Sequence, residues 1–136
     1  MSEEYAVIAG YGLPGRAVAE ALEARGVAFC VVERNVLTVS RCLRSGVRII
    51  EGDVTDREVL EKAEIGRATL FAVTVPDEEV MLKAVEVGRA MNAGMKIIAR
   101  GMYTSVGMKA MRAGANEVVI AEKLVAADFG RVVKGM

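Results

Sequence analysis

Three glycines in the run Ala6-Val7-Ile8-Ala9-Gly10-Tyr11-Gly12-Leu13-Pro14-Gly15-Arg16 have the spacing of a phosphate cradle. An apolar stretch leads into them and a stretch of helical periodicity follows, so they sit where a strand turns into a helix. Gly10 permits the tight turn, Gly12 lets backbone approach a phosphate oxygen with no Cβ in the way, and Gly15 lets helix and strand pack closely. The N–H groups and partial positive charge of the helix N-terminus favour an anion there. Tyr11, Leu13, Pro14 and Arg16 complete the candidate phosphate-binding set. Glu33 ends the second apolar run, roughly 20 residues further on, where a ribose-binding acid belongs. Its carboxylate would accept from ribose hydroxyls and repel a 2′-phosphate, which favours NAD(H), AMP, ADP or ATP and disfavours NADP. Arg34 beside it could face a phosphate, stack on adenine or stand in solvent.

Three further groups fall at strand ends. Gly52-Asp53-Val54 follows the third strand, where Asp53 could accept from an adenine amino group or serve as a turn aspartate. Thr74-Val75-Pro76 closes the fourth strand across the crevice, and Arg100 closes the fifth, facing phosphate, a partner subunit or water. No residue is assigned to catalysis or to a metal. The chain has no histidine, its two cysteines (Cys30 and Cys42) lack Cys-x-x-Cys spacing, and Tyr103 begins no Tyr-x-x-x-Lys pair because position 107 is glycine. A hydride-transfer enzyme must place a second substrate and a proton donor against its cofactor. A non-catalytic binding domain is therefore expected, with an oxidoreductase fragment or a dimerisation module with a vestigial site as alternatives. The cysteines read as reduced thiols, which points to the cytoplasm.

These residues need a scaffold that brings strand ends together. Strands are expected at Tyr5–Ala9, Phe29–Glu33, Arg48–Glu51, Thr69–Val75, Lys96–Ala99 and Glu117–Ile120. Helices are expected at Pro14–Arg25, from Asn35 to about Ser45, after the capping box Thr55-Asp56-Arg57-Glu58, after Pro76-Asp77, and over Tyr103–Ala113 and Glu122–Val133. Met81, Ala84, Val85, Gly88 and Met91 form one buried stripe. Gly26, Gly46, Gly94 and Gly114 each follow a helix, as left-handed terminators do. Apolar strands alternating with helices imply an α/β, Rossmann-like, doubly wound parallel sheet of about six strands. Its order is 3-2-1-4-5-6, with helices on both faces and ligands bound at the carboxyl ends of the strands.

Composition agrees with one folded domain: 136 residues, 53% hydrophobic and 26% charged. Eighteen basic residues balance eighteen acidic ones without a basic cluster, so nucleic acid is not an expected partner. The acidic start Met1-Ser2-Glu3-Glu4 lacks the features of a secretory signal, and no apolar run nears the roughly 18 to 20 residues that span a bilayer, so direct membrane insertion is not expected. The final helix carries Leu124, Val125, Ala126, Ala127, Phe129, Val132 and Val133, more than one stripe needs for packing on its own sheet, and a subunit contact is expected. Met91, Met95, Met102, Met108 and Met111 read as core filler.

With the glycine turn, Glu33, Gly52-Asp53, Pro76-Asp77, Ile97-Ile98-Ala99-Arg100 and Gly114-Ala115-Asn116-Glu117-Val118-Val119 in this order, the chain resembles the TrkA N-terminal (RCK or KTN) nucleotide-binding domain. Within that family it is most similar to the cytoplasmic domain of Kef-type potassium efflux antiporters. The resemblance covers about residues 4 to 133. It implies a regulatory domain that binds NAD(H) or an adenine nucleotide and controls a potassium channel or transporter, as a homodimer or larger ring. The membrane-embedded transporter would be in cis or in trans, the domain at the cytoplasmic face of the inner membrane, and the chain either an excised domain or a stand-alone subunit. By the same resemblance the glycine turn with Arg16 would hold phosphates, Glu33 the ribose, and Asp53 with Val54 the adenine. Leu13 departs from the pattern, standing where many relatives carry an arginine that would clamp a terminal phosphate.

Overall fold

The computed structural model describes residues 3–136, so the reading of the acidic start rests partly on residues 1 and 2, which lie outside the described residues. Six parallel strands form one sheet in the order β3-β2-β1-β4-β5-β6. They are β1 (Tyr5–Ala9), β2 (Ala28–Glu33), β3 (Ile49–Glu51), β4 (Leu70–Val73), β5 (Lys96–Gly101) and β6 (Glu117–Ile120). The helices are α1 (Leu13–Ala24), α2 (Val36–Arg44), α3 (Arg57–Lys62), α4 (Glu78–Met91), α5 (Thr104–Ala113) and α6 (Ala121–Lys134). Every residue of β1 is buried, as a central strand covered on both faces demands.

Side chains alternate across that strand. Ala6 and Ile8 join Ala19 and Leu22 of α1 and Val39 and Cys42 of α2 in one core. Tyr5, Val7 and Ala9 join Leu60, Met81, Ala84, Val85 and Ala110 of α3, α4 and α5 in the other. On α4 the expected stripe is buried from Met81 to Gly88, and Gly88 is needed there because a Cβ would lie 2.6 Å from the Phe71 ring.

Several local expectations are corrected. The fourth strand spans only Leu70–Val73; beyond it the Thr74 N–H still donates to the Ala9 carbonyl, and its hydroxyl donates to the Ala9 and Gly10 carbonyls at 2.9 and 3.1 Å. Thr55 does not cap α3. Asp53 captures both its N–H and its hydroxyl, and Asp56 caps instead by accepting the Glu58 N–H at 2.9 Å. Gly26, Gly46 and Gly114 have positive φ, but Gly94 does not. The helix before it already ends at Met91, where Asn92 turns extended and donates from Nδ2 to the carbonyls of Ile65 and Ala68, both at 2.9 Å.

Met95 is buried and Met91 half-buried, but Met102, Met108 and Met111 are exposed. The face of α5 that meets the sheet consists of Val106, Gly107 and Ala110, whose small size lets Ile120 approach and turns the methionines outward. No residue of α6 is buried, so no stripe of it packs on the sheet, and Leu124, Val125, Phe129, Val132 and Val133 are all exposed. Among the described residues no helix is long and apolar enough to cross a membrane.

Candidate nucleotide-binding site

The carboxyl ends of β1, β2, β4 and β5 open on one crevice of about 700 Å³. Gly10, Tyr11, Gly12, Leu13 and Pro14 form its floor, Glu33, Arg34, Gly52, Asp53 and Val54 one wall, and Thr74, Val75, Pro76 and Arg100 the other. Fourteen of the sixteen candidate residues thus converge. The two exceptions, Gly15 and Arg16, do not line it. Gly15 is buried beneath the turn, where a Cβ would collide with the Gly10 carbonyl oxygen, and Arg16 lines an adjoining cleft of about 440 Å³ between α1 and α2, which shares Tyr11, Gly12, Leu13 and Thr38 with the crevice.

The glycines have separate roles. Gly10 has φ +95°, and a Cβ there would lie 3.0 Å from both Thr74 Oγ1 and Val75 Cγ1. The space above Gly12 is open, and a Cβ there would find nothing within 4 Å. Gly12 is also the N-cap of α1 and offers no side-chain cap, and Pro14 follows where its missing N–H costs no helical bond. The turn therefore presents bare backbone and a helix N-terminus to the crevice, the arrangement that binds anionic oxygen.

Glu33 occupies the hinge between floor and wall. Its Oε1 accepts the Tyr11 N–H at 3.0 Å, and its Oε2 accepts the N–H groups of Arg34 and Asn35 at 2.8 and 2.9 Å. Asp53 accepts through Oδ1 from the Thr55 N–H at 2.8 Å and the Thr55 hydroxyl at 2.7 Å. The backbone N–H bond, then the hydroxyl bond, and last the nearby Arg34 charge hold its carboxyl below the usual aspartate range. It is a turn aspartate that still presents its carboxylate to the crevice. Arg100 reaches across the opposite wall, with Nη1 donating to the Thr74 carbonyl at 3.4 Å. Leu13 is 81% exposed at the mouth and brings no charge.

Asn35, Thr38, Asp77 and Val80 also line the crevice. Asn35 and Asp77 lie just past the ends of apolar strands, and the rule that ligands bind at those ends would have found them. Thr38 and Val80 lie a helical turn further on and carry no signal in the sequence. The crevice offers backbone donors for phosphate, carboxylates for hydroxyl or amino groups, and one arginine on each wall.

Comparison with known proteins places this geometry. The family model described as the TrkA-N domain matches residues 6–121. A putative cation/proton antiporter, YbaL of Escherichia coli, is 30% identical over 90% of this chain, and a Trk system potassium uptake protein TrkA homolog of Pyrococcus horikoshii is 31% identical over 92%. The chain spans only 22% and 57% of the lengths of these two relatives. The crystal structure of the TrkA-N domain of E. coli ybaL superposes with a TM-score of 0.89 at 28% identity, covering 95% of this chain and 96% of that one. A structure of GsuK bound to ADP gives 0.82 at 25% identity, over 97% of this chain and 34% of that one. With its sheet order, its crevice and a match across most of its length, this chain belongs to the TrkA-N domain family.

Proposed function

We propose that this chain is a non-catalytic nucleotide sensor, which binds NAD(H) or an adenine nucleotide in the crevice and thereby controls a potassium channel, transporter or K+/H+ antiporter. The convergence of the Gly10–Gly12 turn, Glu33 and Asp53 on one crevice carries the reading. ADP in the related GsuK supports an adenine nucleotide as ligand, and the potassium and cation transport roles named for the relatives support the output. NADP is disfavoured because the Glu33 carboxylate stands where a 2′-phosphate would come.

A sensor acts only through a difference in affinity between two arrangements of the assembly. The uncovered α6 and the outward Met108 and Met111 supply surface for a homodimer or larger ring, attached in cis or in trans to a membrane-embedded partner at the cytoplasmic face. The same surface favours a dimerisation module with a vestigial site as the second reading. Thermal shift with NAD+, NADH, AMP, ADP and ATP separates the two. At 100 times its dissociation constant a ligand adds about 2.7 kcal/mol of stability, which raises the melting temperature by several degrees. No shift with any of the five would leave only the dimerisation module.

A further inference from the structure

Arg16 lies outside the crevice and has company of its own. It lines the adjoining cleft of about 440 Å³ together with Arg41 of α2, and no acidic side chain lines that cleft. Neither arginine forms an ion pair within 4.0 Å among the described residues. Both charges act on one point, the buried Cys42 thiol in the cleft wall. Burial and then the Glu33 carboxylate push that thiol above its ordinary range, and Arg16 and Arg41 pull against them. Arg16 is also the fourth residue of α1, whose first turn holds no acid, so a cation stands at the positive end of a helix with nothing to offset it.

The rest of the wall suits a small organic body. Leu13, Cys42 and Val47 make it apolar, and the Thr38 hydroxyl, which donates to Asn35 Oδ1 at 3.3 Å, borders it. Glu20 and Glu23 of α1, whose charges reach the Tyr11 hydroxyl, lie outside the lining. Two guanidinium groups acting on one point are more than one carboxylate can use, since it carries a single charge on two oxygens. A phosphoryl group carries about two charges and three oxygens on one centre, and the planar donor set of arginine matches it.

We propose that the cleft between α1 and α2 is a second anion site, in which Arg16 and Arg41 hold the phosphoryl group of a phosphate monoester and Leu13, Cys42 and Val47 its organic part. The cleft has no counterpart to the carboxylates that the crevice offers to ribose or adenine. Its ligand is therefore not a nucleotide, and the site stands whether or not the crevice binds one.

Titration calorimetry with phenyl phosphate tests this, with benzoate as the same ring on a carboxylate and inorganic phosphate as the anion without the ring. The wild-type chain is expected to take one phenyl phosphate, at least tenfold more tightly than either comparison compound. Arg16→Ala and Arg41→Ala each weaken it at least tenfold, whereas Arg34→Ala and Arg100→Ala, in the crevice walls, leave it within twofold. Circular dichroism and melting temperature establish that each variant is folded, and should Arg16→Ala fail to fold, the exposed Arg41 carries the test. A wild-type chain that does not bind phenyl phosphate overturns the proposal, and so does one that binds benzoate or inorganic phosphate as tightly. Affinity kept in a folded Arg41→Ala, or lost in Arg34→Ala or Arg100→Ala, overturns it as well. Thermal shift with the five nucleotides reads the crevice separately, so the two readings fail independently.

Discussion

The two ends of the sheet are built on opposite plans. At the carboxyl ends the glycine turn faces open space above Gly12, and Arg34 stands exposed. At the amino ends polar side chains are bound to the fold. Arg89, at the end of α4, donates from Nε and Nη2 to the Gly114 carbonyl at 3.0 and 2.9 Å, from Nη1 to the Met95 carbonyl at 2.7 Å, and from Nη2 to Asn116 Oδ1 at 2.6 Å. Asn116 Oδ1 in turn accepts the Ile97 N–H that begins β5. Tyr5 donates to the Ala63 carbonyl at 2.6 Å, accepts from Arg48 at 3.1 Å, and carries the Arg67 guanidinium over its ring at 3.7 Å. No buried side-chain nitrogen or oxygen lacks a hydrogen-bond partner among the described residues. One end therefore holds the elements together, and the other keeps donors for something else to use.

The contrast predicts that stability and ligand affinity can be damaged separately. Arg89→Leu should have the largest effect on the fold. It strands the Gly114 and Met95 acceptors, leaves Asn116 Oδ1 with the Ile97 N–H alone, and should cost about 3 kcal/mol, lowering the melting temperature by roughly 10 °C, with nucleotide affinity little changed in the molecules that remain folded. Calorimetric unfolding combined with a binding titration measures both quantities. An equal loss of affinity would show that the two ends are coupled.

Gly12→Val is the converse. A Cβ at Gly12 meets nothing, and φ there is −78°, so only the better N-cap is lost and the melting temperature should fall by no more than about 4 °C. The added side chain fills the approach to the turn and should weaken nucleotide binding about 100-fold. Gly15 is the internal control, because a side chain there collides with the Gly10 carbonyl and damages fold and site together.

The smallest effect is a pH dependence. Burial is the main cause that pushes the Tyr5 hydroxyl up to about 12 from its ordinary value of 10. Between these values the unfolded chain has lost that proton while the folded chain retains it. Tyr5 therefore stabilises the fold fully below pH 10, and its contribution fades as pH rises toward 12. Urea unfolding across that range should show a decline in the wild type that is shallower in Tyr5→Phe, and identical slopes would refute it.

The sequence disclosed the carboxyl-end plan far better than the amino-end plan. Glycine spacing, apolar runs and the acid that ends β2 all have local causes, so the sheet order and fourteen residues of the crevice could be read from them. Arg89 could not, because an arginine late in a helix looks like a solvated charge until Gly114 and Asn116, about 25 residues away, are folded against it. Gly94 misled for a related reason. A glycine after a helix signals a left-handed terminator, but the Asn92 side chain ends α4 through carbonyls of the Ile65–Ala68 segment. The exposed methionines share this cause, since helical periodicity defines two faces of α5 without saying which one the sheet takes.

The pairing of β1 also bears on how the chain leaves the ribosome. Ala6 and Ala9 lie beside Leu70 and Val73, 64 residues later in the chain, while β2 covers the other edge much sooner. At synthesis rates of about 5 to 20 residues per second, this fully buried strand waits roughly 3 to 13 s with one edge unpaired. During that interval it is open to β-pairing with other chains. Truncations that end before Val73 should accordingly aggregate rather than fold.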